Sequence, residues 1–334
     1  MRETIAVVIV TYNRKNLLLE CLTSIRNQSQ RPDAIYIIDN LSTDGTAELL
    51  REYKYISQLP VYDLRENQLI NYKISSILKP EESIKIIYLR KFENDGGAGG
   101  FYIGMKLAYE DGFDWIWCMD DDVEPKSDCL QLLMNDSNRY KVIVPLRVNR
   151  QIEIDEYACA EIKANNFFSK KAKLIPIKDI YGLKNIPESL VLYNFSFEGP
   201  IFHKSIIEKV GLPIKEFFYY YDDTEYALRI KKVLKISPVL ITGARIIRKM
   251  IITQQNITDL KLFYIIRNNF FILNFYGKNM FLRLRPYYVI ILVLIKNILS
   301  FNFNRASIAL KAFKDYQIKK NIIYFNYFKN IDFK

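Results

Sequence analysis

The apolar run Trp115-Ile116-Trp117-Cys118-Met119 ends in Asp120, Asp121 and Asp122, and no other feature constrains the chain so strongly. A short apolar run followed abruptly by charge reads as a strand buried on both faces, with its end at a loop. Three adjacent carboxylates delivered there repel one another and lose hydration unless a cation or polar partners meet them. Hard carboxylate oxygens suit Mg²⁺ or Mn²⁺, which keep coordination positions open for a substrate diphosphate. The alternative is a solvated acidic turn, with Glu124 and Pro125 as ordinary loop residues.

Two earlier segments have the same form. Ile5 to Val10 is a fully apolar strand that runs into Thr11-Tyr12-Asn13-Arg14 and then into a helix with Leu18, Leu22 and Ile25 at helical spacing. Ala34 to Ile38 is a second, ending in Asp39-Asn40-Leu41-Ser42-Thr43-Asp44-Gly45-Thr46 before another helix. In an open α/β sheet, ligands bind beyond the carboxyl ends of the strands, so these three polar ends are expected to converge on one crevice.

Asn94-Asp95-Gly96-Gly97-Ala98-Gly99-Gly100-Phe101 is glycine-rich. It is neither a dinucleotide fingerprint, since the third position falls on Tyr102, nor a P-loop, since no Gly-Lys-Ser/Thr follows. Its glycines permit close backbone approach to a phosphate or sugar ahead of a helix expected from Phe101 to Asp111; a tight turn before a helix is the plainer alternative. Further on, Phe217 to Tyr221 bring Asp222, Asp223 and Glu225 to a helix start. An apolar wall there raises a carboxyl toward the range useful for a general base, while an N-capped helix with an acidic first turn would read the same way.

Together, the Thr-Tyr-Asn-Arg and Asp-Asn-Leu-Ser-Thr-Asp-Gly-Thr segments, the Asp triplet and the distant Asp-Asp-x-Glu resemble inverting glycosyltransferases of family 2, over roughly residues 4 to 270. The glycine cluster with the triple Asp is most similar to the bacterial galactofuranosyltransferase branch, and next to the rhamnosyltransferases. The resemblance implies a GT-A (Rossmann-like) α/β fold: a mixed central sheet flanked by helices, here with a helical, aromatic and basic C-terminal extension. It implies that Asp39 reads uracil and that Thr11, Asn13 and Arg14 line the nucleotide pocket. Asn40, Asp44, Asn94, Gly97 and Gly99 fall on the donor side with Asp120 and Asp121. Asp120 and Asp122 are the implied ligands of Mg²⁺ or Mn²⁺, Asp223 the general base, and Asp222 and Glu225 acceptor-positioning residues. The implied reaction is transfer of a hexosyl group, galactofuranose from its UDP donor, to a lipid-linked or cell-surface glycan. A rhamnosyltransferase using a dTDP donor and a non-catalytic glycan- or membrane-binding relative are the alternatives. Nucleotidyl transfer is disfavoured, because no glycine-rich loop with Arg and Lys follows the first strand.

One position departs from the pattern. Relatives place a metal-ligating histidine shortly after the base, whereas the single histidine here, His203, precedes it, and Arg245-Ile246-Ile247-Arg248-Lys249 stands at the expected place. A guanidinium cannot ligate a cation, though Arg248 is suited to neutralising diphosphate charge. His203 reads as a core, acceptor-pocket or metal-ligand residue. Arg267, in Tyr264-Ile265-Ile266-Arg267-Asn268, falls on a segment near the family's acceptor site, or simply pairs with an acidic residue.

The net charge of +11 is unevenly spread. Residues 240 to 334 hold 16 Lys and Arg against three Asp, a balance of +13, so the preceding residues sum to −2. The same tail has 18 of the 47 aromatic residues, and basic side chains mixed with Phe and Tyr on helices suit an anionic membrane surface. Without a known module, nucleic acid is not an expected partner. The division expected is a catalytic domain over 1–240 and a helical acceptor or membrane region over 241–334. Tyr287 to Ile295, the longest apolar run, is too short to span a bilayer; it reads as a membrane-surface helix, a buried helix or a homo-oligomer contact. The four cysteines lack metal-type spacing and no signal peptide is evident, so a cytoplasmic enzyme peripheral to the inner face of the cell membrane is expected. Glu153 to Pro187 is expected to form a loop over the acceptor site.

Overall fold

A computed structural model describes residues 2–62, 65–156, 158–163, 173–180, 186–250, 258–277 and 279–329. Much of the expected acceptor loop lies outside them, as does the Cys159 side chain. Strand β1 (Ile5–Thr11) leads through α1 (Lys15–Arg26) to β2 (Ala34–Asp39), and α2 (Thr46–Glu52) leads to the antiparallel pair β3 (Gln68–Ser75) and β4 (Ser83–Arg90). Helix α3 (Gly96–Glu110) returns to β5 (Trp115–Asp120), followed by β6 (Val123–Pro125), α4 (Cys129–Asn135) and β7 (Val142–Val148). A ribbon of β8 (Cys159–Lys163) and β9 (Lys173–Pro176) and the turn α5 (Ile177–Ile180) precede β10 (Ser189–Val191), β11 (Ile201–His203), α6 (Lys204–Val210), α7 (Asp222–Leu234) and β12 (Val239–Arg248). Helices α8 (Asp259–Tyr276), α9 (Met280–Leu299) and α10 (Phe303–Ile323) follow.

The strands form one mixed sheet in the order β10-β12-β7-β11-β5-β1-β2-β4-β3, with β6 on β12. Its centre is parallel and in register: Thr11 pairs with Asp39, and Val10 with Asp120. The three polar segments singled out in the sequence therefore leave the sheet side by side. Alternation along β1 divides the core, Ala6, Val8 and Val10 facing Phe101 and Met105 of α3, and Ile5, Val7 and Ile9 facing Leu18, Leu22 and Ile25 of α1.

Two expectations need correction. The division at residue 240 cuts β12, which pairs with β7 from Val239 to Ile247, so the sheet extends to Arg248. The helix expected from Phe101 begins at Gly96, which puts the glycines inside it. A Cβ at Gly100 would lie 2.4 Å from Val10 Cγ1, and one at Gly104 2.4 Å from Val8 Cγ1, so these glycines let α3 lie close on β1. Helices α8 to α10 share a third core, in which Phe270, Ala309, Ala312 and Tyr316 pack with Phe217 and Leu228 from the region of α7.

Candidate active site

The first strand end holds the third. Thr11 Oγ1 donates to Asp121 Oδ2 at 2.7 Å, and Arg14 Nη1 stands 3.1 Å from both Asp121 Oδ1 and Asp122 Oδ2. Asp121 and Asp122 are buried and Asp120 is half-buried. Burial pushes the Asp121 carboxyl up to about 6 in spite of Arg14 and Thr11. Asp120 is held well above the usual carboxylate range by burial and then by the charges of Asp122, Glu198 and Asp121. Asp122 is raised by burial and Glu198, with Arg14 and Arg248 opposing.

At the second strand end both oxygens of Asp39 are engaged, Oδ1 by the Ser42 amide at 2.7 Å and Oδ2 by the Tyr88 hydroxyl at 2.6 Å. Asn40 Nδ2 donates to the Gly96 carbonyl at 2.9 Å, while its Oδ1 is buried without a hydrogen-bond partner. Asn13 and Asp44 clasp the two loops: Asn13 Oδ1 accepts from the Thr43 amide at 2.7 Å, and Asp44 Oδ2 from the Lys15 amide at 3.0 Å. Asn94 Oδ1 accepts from the Gly96 amide at 2.9 Å. Gly97 faces open space, but a Cβ at Gly99 would meet the Asp95 carboxyl at 2.1 Å, so the tight fit at Gly99 is to the protein itself.

The loop before α7 reaches the same crevice. Phe218, Tyr220 and Tyr221 all take positive φ, a strained backbone for bulky side chains. Asn268 of α8 fastens it, its Nδ2 donating to the carbonyls of Phe217, Tyr219 and Tyr220 at 3.0, 3.0 and 2.8 Å. Arg267 donates to the Phe217 carbonyl at 2.9 Å and pairs with Asp315 at 3.1 Å, as the plainer sequence reading of it anticipated. Phe218 also accepts from the Ala98 amide of α3 at 3.3 Å, and Tyr219 lies in the field of Asp120 and Arg14. Asp222 is buried, its carboxyl pushed up to about 8 by burial and then by Asp223. Asp223 is half-buried; burial pushes it up to about 6, against opposing hydrogen bonds from Thr224.

Two expected site residues lie elsewhere. His203 is paired with Trp115 at the opposite end of β5, ~17 Å along the strand from the Asp triplet. There it caps α6, Nδ1 accepting from the Ser205 amide at 3.2 Å, and burial lowers its pKa. Glu225 is buried in helix packing rather than offered to an acceptor, its two oxygens taken by Arg229 at 3.0 Å and Tyr276 at 2.6 Å.

Sequence reasoning missed a buried ionic network beneath the crevice. Glu198 sits 3.0 Å from both Arg147 and Arg248, and Arg147 also pairs with Glu156. Glu198 acts electrostatically on Asp120, Asp122 and Asp223 together. Its only sequence signal was a carboxylate before Gly199-Pro200. Arg90 was missed as well: it closes the apolar run of β4 in register with Asp39, buried over the Tyr62 ring.

Arg248 pairs with Val123 across the β12–β6 ladder, and the Lys249 amide donates to the Asp122 carbonyl at 3.0 Å. The segment at the expected histidine position thus lies beside the triplet. Among the described residues no three His, Cys, Asp or Glu side chains gather around a common point that would hold an ion. Asp120 and Asp122, two neighbouring carboxylates both held above the usual range by burial, do fit a Mg²⁺ or Mn²⁺ ion that takes its remaining ligands from substrate phosphate and water.

A mixed central sheet flanked by helices, with polar segments leaving its central strand ends, is the fold of the GT-A glycosyltransferases. The chain belongs to that class: the model of glycosyl transferase family 2 matches residues 6–186, and it is a member of that family. It is similar to galactofuranosyltransferase GlfT1 of Mycobacterium tuberculosis, 25% identical over 233 residues, and to that of Mycolicibacterium smegmatis, 23% identical over 242. These matches cover 69% and 68% of this chain but 65% of each relative's length, just under two thirds. Among solved structures, GalNAc-T7 with UDP, GalNAc and Mn²⁺ matches with a TM-score of 0.56 at 13% identity, over 97% of this chain and 58% of that one. The mannosyltransferase PcManGT of Pyrobaculum calidifontis, in complex with GDP-Man and Mn²⁺, matches at 0.52 and 14%, over 93% and 74%.

Proposed function

We propose that this protein is an inverting hexosyltransferase that moves galactofuranose from UDP-galactofuranose to a lipid-linked or cell-surface glycan acceptor at the inner face of the cell membrane. One observation carries the reading: the Asn40 side chain donates to the Gly96 carbonyl and the Ala98 amide to the Phe218 carbonyl, so the second strand end and the loop that leads into Asp223 meet at the start of α3. The galactofuranosyltransferases among its relatives support the choice of sugar.

Transfer requires a proton acceptor on one face of the anomeric carbon and charge stabilisation on the other. Asp223, half-buried and titrating at about 6, is ionised at neutral pH and basic enough to accept a proton. In this reading the acceptor hydroxyl oxygen bonds to the anomeric carbon as its proton passes to Asp223. The bond from that carbon to the diphosphate oxygen breaks, and the electron pair leaves on the nucleoside diphosphate. In-line attack inverts the configuration. Asp222, more deeply buried and pushed up to about 8 by burial and then by Asp223, is held protonated near neutrality and does not accept the proton. Asp39, Arg14 and Thr11 orient the nucleotide. Asp120 and Asp122 would hold a divalent cation, which supplies neutralisation of the leaving diphosphate when bound.

The test is donor profiling of the purified protein with UDP-galactofuranose, UDP-galactopyranose and dTDP-rhamnose, with the product anomer read by NMR. Turnover of UDP-galactofuranose alone, with inverted product, is expected. Preference for dTDP-rhamnose would move the protein to the rhamnosyltransferases, and retention of configuration would remove the role of Asp223 as base.

A further inference from the structure

Helix α9 turns an apolar stripe away from the protein. Leu284, Ile291, Ile295, Ile298, Leu299 and, just beyond the helix, Phe301 are between 42% and 82% exposed, whereas Pro286 and Ile290 are buried. At 3.6 residues per turn, the five helical members of the stripe fall within an arc of about 100°. Arg283 lies on one margin of that arc, and Arg285 and Lys296 on the other. An outward apolar arc with basic margins matches the cross-section of a helix lying at the depth of lipid headgroups.

Charge selects between a bilayer and a second copy as occupant. Residues 279 to 329 hold nine Lys and Arg and one acidic residue, Asp315. Asp315 is engaged by Arg267 and Lys319. Two such surfaces brought face to face would repel, whereas an anionic bilayer attracts each of them. Among the described residues no helix is long and apolar enough to cross a membrane. We infer that α9 lies in the plane of an anionic membrane surface, its stripe among the outer acyl carbons and its basic margins at the lipid phosphates. Phe270 of α8 meets Tyr287 of α9 edge-on, and α8 also carries Asn268, so the docked helix packs directly on the one that fastens the Asp223 loop.

The test is flotation of the full chain with vesicles of phosphatidylcholine alone and with about one quarter phosphatidylglycerol. Binding to the anionic vesicles only, weakened by rising salt, is expected. Replacing Ile291, Ile295 and Leu299 by Ser alters only exposed side chains; it should lower partitioning at least about tenfold with the thermal melt unchanged. Replacing Arg283, Arg285 and Lys296 by Gln should abolish the preference for anionic lipid. Failure of the wild type to float with either vesicle, or equal flotation of the Ser variant, would overturn the proposal. So would a dimer in light scattering that the Ser variant dissociates, since the stripe would then belong to a second copy. None of these readouts depends on the donor sugar.

Discussion

Asn268 Nδ2 donates to the carbonyl of Tyr220 at 2.8 Å, and through this contact helix α8 controls the backbone that delivers Asp223. Tyr220 and its neighbours Phe218 and Tyr221 hold positive φ, which persists only where surrounding contacts impose it. The loop that leads into Asp223 is therefore shaped by a residue far along the chain.

Asn268→Leu removes the donor at similar volume. Turnover is expected to fall at least about tenfold with donor affinity retained, because the change displaces the base and not the nucleotide pocket. Stability should drop by about 1–3 kcal/mol as buried carbonyls lose their partner. Calorimetric donor binding beside steady-state kinetics separates these effects; loss of donor affinity in step with turnover would place Asn268 in general folding instead.

For the strand-end carboxylates, activity and stability are expected to move in opposite directions. Asp120→Asn and Asp122→Asn should each lower transfer by ~10²-fold or more, since charge stabilisation of the leaving group is lost. Both should raise the melting temperature of the unliganded protein, because each removes a carboxylate whose ionised form the fold resists. Full wild-type activity in excess chelator would remove the cation from the mechanism.

Asp223→Asn should reduce turnover by ~10²-fold or more while leaving donor affinity intact. Wild-type turnover should rise with pH through about 6, where Asp223 ionises. If Asp222→Asn proves inactive and Asp223→Asn active, the base is the buried member of the pair.

Arg248 shields Asp122 through its own charge while pairing with buried Glu198. Arg248→Met leaves Glu198 facing the triplet with only Arg147, and should lower stability by about 3 kcal/mol, as removal of one partner from a buried pair does. Chemical denaturation reads it directly, and the double variant with Glu198→Gln should recover part of the loss.

The sheet centre was legible because β1, β2 and β5 are unbroken apolar runs whose polar ends are adjacent in sequence to their strands. In-register pairing then set Asp39 opposite Thr11 and Asp120 opposite Val10, bringing the three polar ends side by side. Glu198 and Asn268 were not legible as site residues, since each acts through partners some 50 positions away. The acceptor-pocket and metal-ligand readings of His203 fail because antiparallel β11 carries it to the Trp115 end of β5, away from the Asp triplet. In the glycine cluster, Gly100 packs on β1, and that need for close approach cannot be told by pattern from a ligand's.

Buried Asp222 at the start of α7 also fixes a pH dependence of stability. Asp222 titrates at about 8 in the folded protein, against about 4 in an unfolded chain. The folded state therefore binds more protons than the unfolded one between those values, so the stability that Asp222 contributes is complete below the lower value and is lost as pH rises through the upper. Asp222→Asn cannot ionise and escapes that loss. The melting temperature of Asp222→Asn minus that of the wild type should grow steadily more positive from about pH 4 to about pH 8 and level off above. A difference that is flat across this range, or that becomes more negative with pH, would mean that Asp222 is stabilised as the carboxylate, by partners stronger than the desolvation it suffers at the start of α7.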